Sequence, residues 1–190
     1  MEYEIVNDIE KYIDDIIKLD DEFYDPEYMW DNDYQLQVYK RNRDSFIAIK
    51  YNNTLIGYLN YLSINKGVYD TMKASDITID DFELNDIIPF GDDTYLTINS
   101  IVIKKEYQDK DVIKIITDGF LNKLKELSNK GINIKGIIGI AISNDGRKFF
   151  NNLGFSNNKE LSDGHCMYYL EDNIIDTINN AINKLKNNQI

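Results

Sequence analysis

The run Thr94–Ile103 (TYLTINSIVI) constrains this chain more than any other segment. It alternates like a strand, but the alternation changes phase in the middle. Leu96 and Ile98 share one parity, and Ile101 and Ile103 share the other. A slip of one residue at Asn99-Ser100 keeps all four on one face, which is what a β-bulge does. Residues 112–129 then carry Ile115, Ile116, Phe120, Leu124 and Leu127 at helical spacing, and Gly131 stands where such a helix stops. Residues 132–142 alternate again through Ile132, Ile134, Ile138, Ile140 and Ile142. Strand, helix, strand in this order calls for a parallel crossover inside a larger sheet.

The flanking segments supply the rest of that sheet. Residues 2–6 read as a short strand, and residues 9–24 as an amphipathic helix ended by Pro26. A second helix is expected over 28–43. SFIAIKY and TLIGYLNYLS, joined by Asn52-Asn53, form a β-hairpin. Residues 66–93 are an acidic excursion with weak patterning, read either as a solvated surface loop with room for a short helix or as a functional segment. A short helix over 144–153 ends at Gly154, a strand follows over 165–171, and an amphipathic helix over 173–187 closes the chain. The fold class is α/β (α+β): a mixed, mostly antiparallel sheet flanked by helices. The domain division is 1–171 for the core and 172–190 for the terminal helix, which caps the core or pairs with its copy in a dimer.

Composition narrows the function. The 190 residues carry a net charge of −12, which disfavours a nucleic-acid partner and favours cationic ones, although charge of this size also serves solubility alone. One cysteine (Cys166) and one histidine (His165) leave no intrachain disulfide and no His/Cys zinc site. No leader-like apolar run follows the acidic start and no segment is long enough to span a bilayer, so a cytoplasmic protein without a membrane partner, monomeric or homodimeric, is expected.

Three features resemble the GNAT acyltransferase family: the bulged strand ending in SIVIKKEYQ, the loop YQDKDVI opening into a helix, and ISNDGRKFFNNLGF with its Leu-Gly-Phe exit. The resemblance covers about residues 2–171. It implies splayed parallel strands, acetyl-CoA as co-substrate, and transfer of its acetyl group to a primary amine of a cationic small molecule or basic peptide. It further implies that Ile101, Val102 and Ile103 offer backbone groups to the pantetheine arm. Gln108, Lys110, Asp111, Val112 and Ile113 would form the pyrophosphate loop, and Ser143, Asn144 and Phe150 the far wall.

The sequence also departs from the family pattern. Asp109, Asp111 and Ile113 stand where small residues are usual, and an aspartate repels a phosphate and, as an N-cap at position 111, competes for the same amides. Lys104, Lys105, Lys110 and Lys114 offset this. Phe150 replaces a tyrosine that in many relatives protonates the departing thiolate. Tyr168, Tyr169, Tyr107 and Cys166 are candidate replacements, with Asn99 and Thr97 the polar side chains of the bulged strand. A carboxylate of the acidic excursion or a water chain is the candidate base, and His165 reads as structural before catalytic. The chain is therefore read as an N-acyltransferase or as a catalytically weakened binding or regulatory module on the same fold.

Overall fold

The computed structural model describes residues 3–6, 9–24, 30–74, 83–108 and 110–187. Seven strands form one sheet: β1 (Tyr3–Val6), β2 (Phe46–Tyr51), β3 (Thr54–Ile64), β4 (Asp93–Ile103), β5 (Asn133–Ala141), β6 (Asn157–Glu160) and β7 (Cys166–Leu170). Their order is β1-β2-β3-β4-β5-β7-β6, and only β4 and β5 are parallel. The helices are α1 (Ile13–Phe23), α2 (Asn32–Arg41), α3 (Lys66–Ala74), α4 (Lys110–Asn129), α5 (Asn144–Asn152) and α6 (Ile174–Asn187). The β2–β3 hairpin turns at Asn52 and Asn53, with φ of 49° and 64°, a left-handed pair that asparagine tolerates.

The alternation of side chains along each strand divides the core. On one face Leu96, Ile98 and Ile103 of β4 pack with Ile116 and Phe120 of α4, Phe149 and Phe150 of α5, and Ile174, Ile178 and Ile182 of α6. The terminal helix is thus built into the main core, and Lys186 pairs with Asp118 of α4 at 2.8 Å. On the other face α1 and α2 cover Ala48, Tyr58 and Val102, and α3 covers Ile64, Ile138 and Met167.

Three expectations change. The excursion at 66–93 holds α3, whose Tyr69 and Met72 are buried, so its first third is core and not loop. Asp76, Asp80 and Asp81, with Asp109 of the later loop, lie outside the described residues. The helix expected from residue 112 begins at Lys110, which puts Asp111 inside its first turn and not at its cap. Finally, β6 extends the sheet beyond β7. Its sequence, NNKE, carries no apolar alternation because this exposed edge strand is held by the backbone ladder and the Arg147–Glu160 ion pair rather than by a buried face.

Candidate active site

The bulge lies where the sequence places it. Asn60 of β3 pairs with Ser100 while Tyr61 pairs with Ile98, so Asn99 is the extra residue. The same point ends the parallel ladder. The last β4–β5 rung is Ile98↔Gly139, yet β4 runs on to Ile103 and β5 to Ala141. The two strands therefore part beyond the bulge. Lys104 N donates to Ile56 O at 2.8 Å. By the alternation of an antiparallel ladder, Ile103 and Ile101 then turn their backbone groups away from β3, toward the opening. Gln108 Nε2 already donates to Ile103 O at 2.9 Å. The side chains of Ile103 and Val112 are buried and those of Ile101 and Ile113 pack on the same core, so what this region offers a ligand is backbone.

α4 starts at Lys110, seven residues after β4 ends at Ile103. Asp111 is exposed there, and Lys104, Lys105 and Lys114 have no carboxylate partner among the described residues. Ser143 caps α5, its Oγ accepting from Gly146 N at 3.1 Å, and Asn144 starts that helix exposed. Phe150 is buried against Gly139: a Cβ at Gly139 would come within 2.5 Å of the ring Cζ. Tyr168 stacks on Phe150, centroids 5.0 Å apart and planes 6° apart. Gly139 pairs with Ile98 on one side and Tyr168 on the other, so Phe150 lies between Tyr168 and the opening. Burial, with the Cys166 thiol beside it, pushes the Tyr168 phenol up. Tyr169 faces α3, under the Lys73 ammonium at 4.6 Å from its ring centroid. Tyr107 packs on Tyr51, and Cys166 is buried in the core. Of the candidate side chains for proton transfer, Asn99, Thr97 and His165 line the cavity on the α1/α2 face, and Tyr168 and Tyr169 are not among its lining residues.

On the α1/α2 face the opening widens into a cavity of about 360 Å³. Ile98, Asn99 and Ser100 line it from β4, and Ile140 and Ile142 from the β5 side, so the gap between the strands forms part of its wall. Ile13 and Ile17 of α1, Val38 of α2 and Trp30 make the opposite wall largely apolar. Asn99 Nδ2 donates to Asn60 Oδ1 at 2.9 Å. At the rim Asp163 holds His165, accepting from its backbone N–H at 2.8 Å and sitting 2.9 Å from Nδ1.

The sequence reading missed the group at the base of this cavity. Asp20 of α1 is 8% exposed. Its carboxylate accepts from the Tyr58 hydroxyl, Tyr58 Oη lies 3.0 Å from Ser100 Oγ, and Ser100 Oγ lies 2.8 Å from Tyr24 Oη. Each hydroxyl has one proton to give. With the Tyr58 proton on Asp20, the run is directed: Tyr24 to Ser100, Ser100 to Tyr58, Tyr58 to Asp20. Burial raises the Asp20 carboxyl from the ordinary 3.8 to about 6, the Tyr58 bond opposing and the Asp21 charge assisting. Burial also raises the Tyr58 and Tyr24 phenols, with the Asp20 charge adding to it, so both stay protonated. The signal was present in the sequence. Ile13, Ile16, Ile17 and Asp20 fall on one helical stripe, and a carboxylate on an apolar stripe is the anomaly to question.

No protein-family model and no curated protein matches the sequence. Solved structures do match the fold. The chain superposes on an acetyltransferase of the GNAT family from Streptococcus agalactiae over 90% of its own length and 95% of that protein's, at 14% identity and a TM-score of 0.56. Arabidopsis thaliana NAA60, solved in complex with acetyl-CoA, matches over 90% and 98% at 9% identity and a TM-score of 0.58. The GNAT-like decarboxylase GphF, solved in complex with isobutyryl-CoA, matches over 90% and 99% at 8% identity and a TM-score of 0.58. With these matches and a seven-stranded mixed sheet that parts at a bulge between its two parallel strands, flanked on both faces by helices, the chain has the GNAT fold.

Proposed function

We propose that this protein is an acyl-CoA-dependent N-acyltransferase that moves an acetyl group to a primary amine by direct attack in a ternary complex, as a cytoplasmic enzyme. The observation that carries the reading is the parting of β4 and β5 beyond Ile98↔Gly139, directly beside a cavity with a buried carboxylate. Strand edges turned into a gap suit an amide-bearing arm, since each backbone group there needs a partner. The first turn of α4 and Lys104, Lys105 and Lys114 suit a diphosphate. The thioester would supply an electrophilic carbonyl, and the chain's part is to hold it, to hold the amine, and to move protons. Backbone N–H groups at the Asn99 bulge would stabilise the charge that develops on the carbonyl oxygen. With Phe150 in place of an acid, proximity carries much of the rate.

A second reading, a weakened binding or regulatory module, draws support from Asp111 in the first turn of α4 and from the missing acid at Phe150. The GNAT-like decarboxylase among the structural matches also illustrates that this fold hosts chemistry other than transfer to an amine. Calorimetric titration with acetyl-CoA separates the readings at their root. Binding in the micromolar to sub-millimolar range supports an acyl-CoA site, and absence of heat at millimolar ligand removes it.

A further inference from the structure

The run Tyr24–Ser100–Tyr58–Asp20 links a buried carboxylate of α1 to the strand position directly after the bulge. Nothing in the fold requires it: Ser100 could be any residue that keeps the ladder, and burying an aspartate is costly. The cavity it serves has a distinct chemistry. Among the described residues its charged and titratable lining consists of Asp20, Asp163, His165 and the phenols Tyr24, Tyr39 and Tyr58, with no lysine or arginine. Most of the remaining wall is apolar, including Trp30 and Ile142, which is 48% exposed at the β5 side. The second carboxylate, Asp163, is already engaged by His165, so a long polyamine or a basic peptide would leave its further ammonium groups, among the described residues, against isoleucines and tryptophan, at the expense of desolvating charge.

From this geometry we infer that the acceptor is a primary monoamine with an apolar aromatic or aliphatic body, and that Asp20, reached through Ser100 and Tyr58, takes its proton. The inference rests on the acyl-transfer reading for its chemistry but not for its binding site. Ser100 Oγ accepts a proton from the ammonium and passes its own to Tyr58, whose proton passes to Asp20. One proton leaves the amine and one arrives on the carboxylate. The neutral nitrogen then attacks the thioester carbon, the C–N bond forms, the C–S bond breaks, and the second proton lost by nitrogen goes to the departing sulfur. Asp20 returns its proton to water.

The direction of the three hydroxyls sets this path, because every donor already points toward Asp20. The groups that face the carboxylate are Asp21 on α1, Tyr24 at its C-cap, Tyr58 on β3, Tyr39 on α2, and Asp163 and His165 across the cavity. None is a fixed cation, and burial leaves Asp20 with an affinity for the proton near neutrality, where a general base works best.

Trp30 is the chain's only tryptophan and lines the cavity, so its fluorescence reports the site without any acyl donor. Phenethylamine titrated into the full chain should change that emission. Spermidine should bind about tenfold more weakly or worse, and Asp20→Asn should weaken phenethylamine by about tenfold or more, because the ammonium loses the buried opposite charge that faces it across the hydroxyl run. With phenethylamine as acceptor, thiol release from acetyl-CoA should fall below about pH 6 in the wild type. Asp20→Asn should lose that limb and about 10²-fold in kcat. Tyr58→Phe keeps the packing and breaks the run, so it should lower kcat while KM for the amine holds. Spermidine binding as tightly as phenethylamine, or Asp20→Asn binding and reacting like wild type, would overturn the inference. Failure of acetyl-CoA to bind, with phenethylamine still recognised through Asp20, would instead remove the acyl-transfer reading and leave the amine site standing.

Discussion

Asp20→Asn should make the protein more stable, and the size of the gain should depend on pH. The folded state holds the Asp20 carboxyl at about 6 against the ordinary 3.8. A raised folded value means that stability from this group is fully present below the unfolded pKa and is lost as pH rises through the folded one. Each pKa unit is about 1.4 kcal/mol, so the ionised group costs the folded state about 3 kcal/mol at neutral pH. Asparagine still accepts from Tyr58 but must bury an amide, which offsets part of the gain by about 1–3 kcal/mol. The offset does not titrate, whereas the cost does. Between about pH 5 and about pH 7.5 the stability difference between variant and wild type should therefore grow by about 1.4 kcal/mol. Urea unfolding at both pH values, followed by Trp30 fluorescence and circular dichroism, reads this directly. A difference that stays constant to within about 0.5 kcal/mol would refute the reasoning, because it would mean that Asp20 ionises as it does in the unfolded chain. The expected trade of stability for activity is the pattern of a carboxylate retained for chemistry.

Three further outcomes follow from the site. Gly139→Ala places a Cβ 2.5 Å from Phe150 Cζ, and overpacking of this kind should cost about 1–3 kcal/mol in thermal or urea unfolding. Asp111→Asn removes a negative charge from the first turn of α4 and should tighten acetyl-CoA by about threefold in calorimetry, since a charge at a helix terminus is worth about 0.3–1 kcal/mol; an unchanged affinity would place the diphosphate elsewhere. Phe150→Tyr adds its hydroxyl at the para carbon that already abuts Gly139, beside the last β4–β5 rung, so it should cost about 1–3 kcal/mol of stability by overpacking while raising kcat without changing KM for acetyl-CoA. No change in kcat would mean that the thiolate departs without an acid from this position.

The fold was legible where burial imposes a period. The parity change across Asn99-Ser100 marked the bulge because both faces of that strand are covered, leaving no freedom for an unexplained phase shift. Gly131 and Gly154 marked helix ends because both adopt positive φ, at 84° and 85°. β6 was not legible, since its residues are held by pairing with β7 and not by packing. The sequence leaves room for a short helix in the acidic excursion, but the burial of α3 through Tyr69 and Met72 is masked by the acidic residues around it. Ile101–Ile103 were named from resemblance and lie on β4 beyond its last rung with β5, with Gln108 bonded to Ile103 O. The tyrosines of β7 do not line the cavity, because a period-2 reading gives the face of a side chain but not what stands beside it. Asp20, Tyr58 and Ser100 come from a helix, a hairpin strand and the bulged strand. Contacts that span such distances along the chain leave no local pattern, and only the misplaced carboxylate on the stripe of α1 hinted at them.

The central claim is that the gap beyond Ile98↔Gly139 receives the arm of an acyl-CoA. Amide hydrogen exchange across residues 99–103, measured with and without saturating acetyl-CoA, tests it most directly. The account predicts slowed exchange at Ile101 and Ile103, whose backbone groups turn toward the gap, with smaller slowing at the start of α4. Exchange in β4 that is identical with and without bound ligand would contradict it.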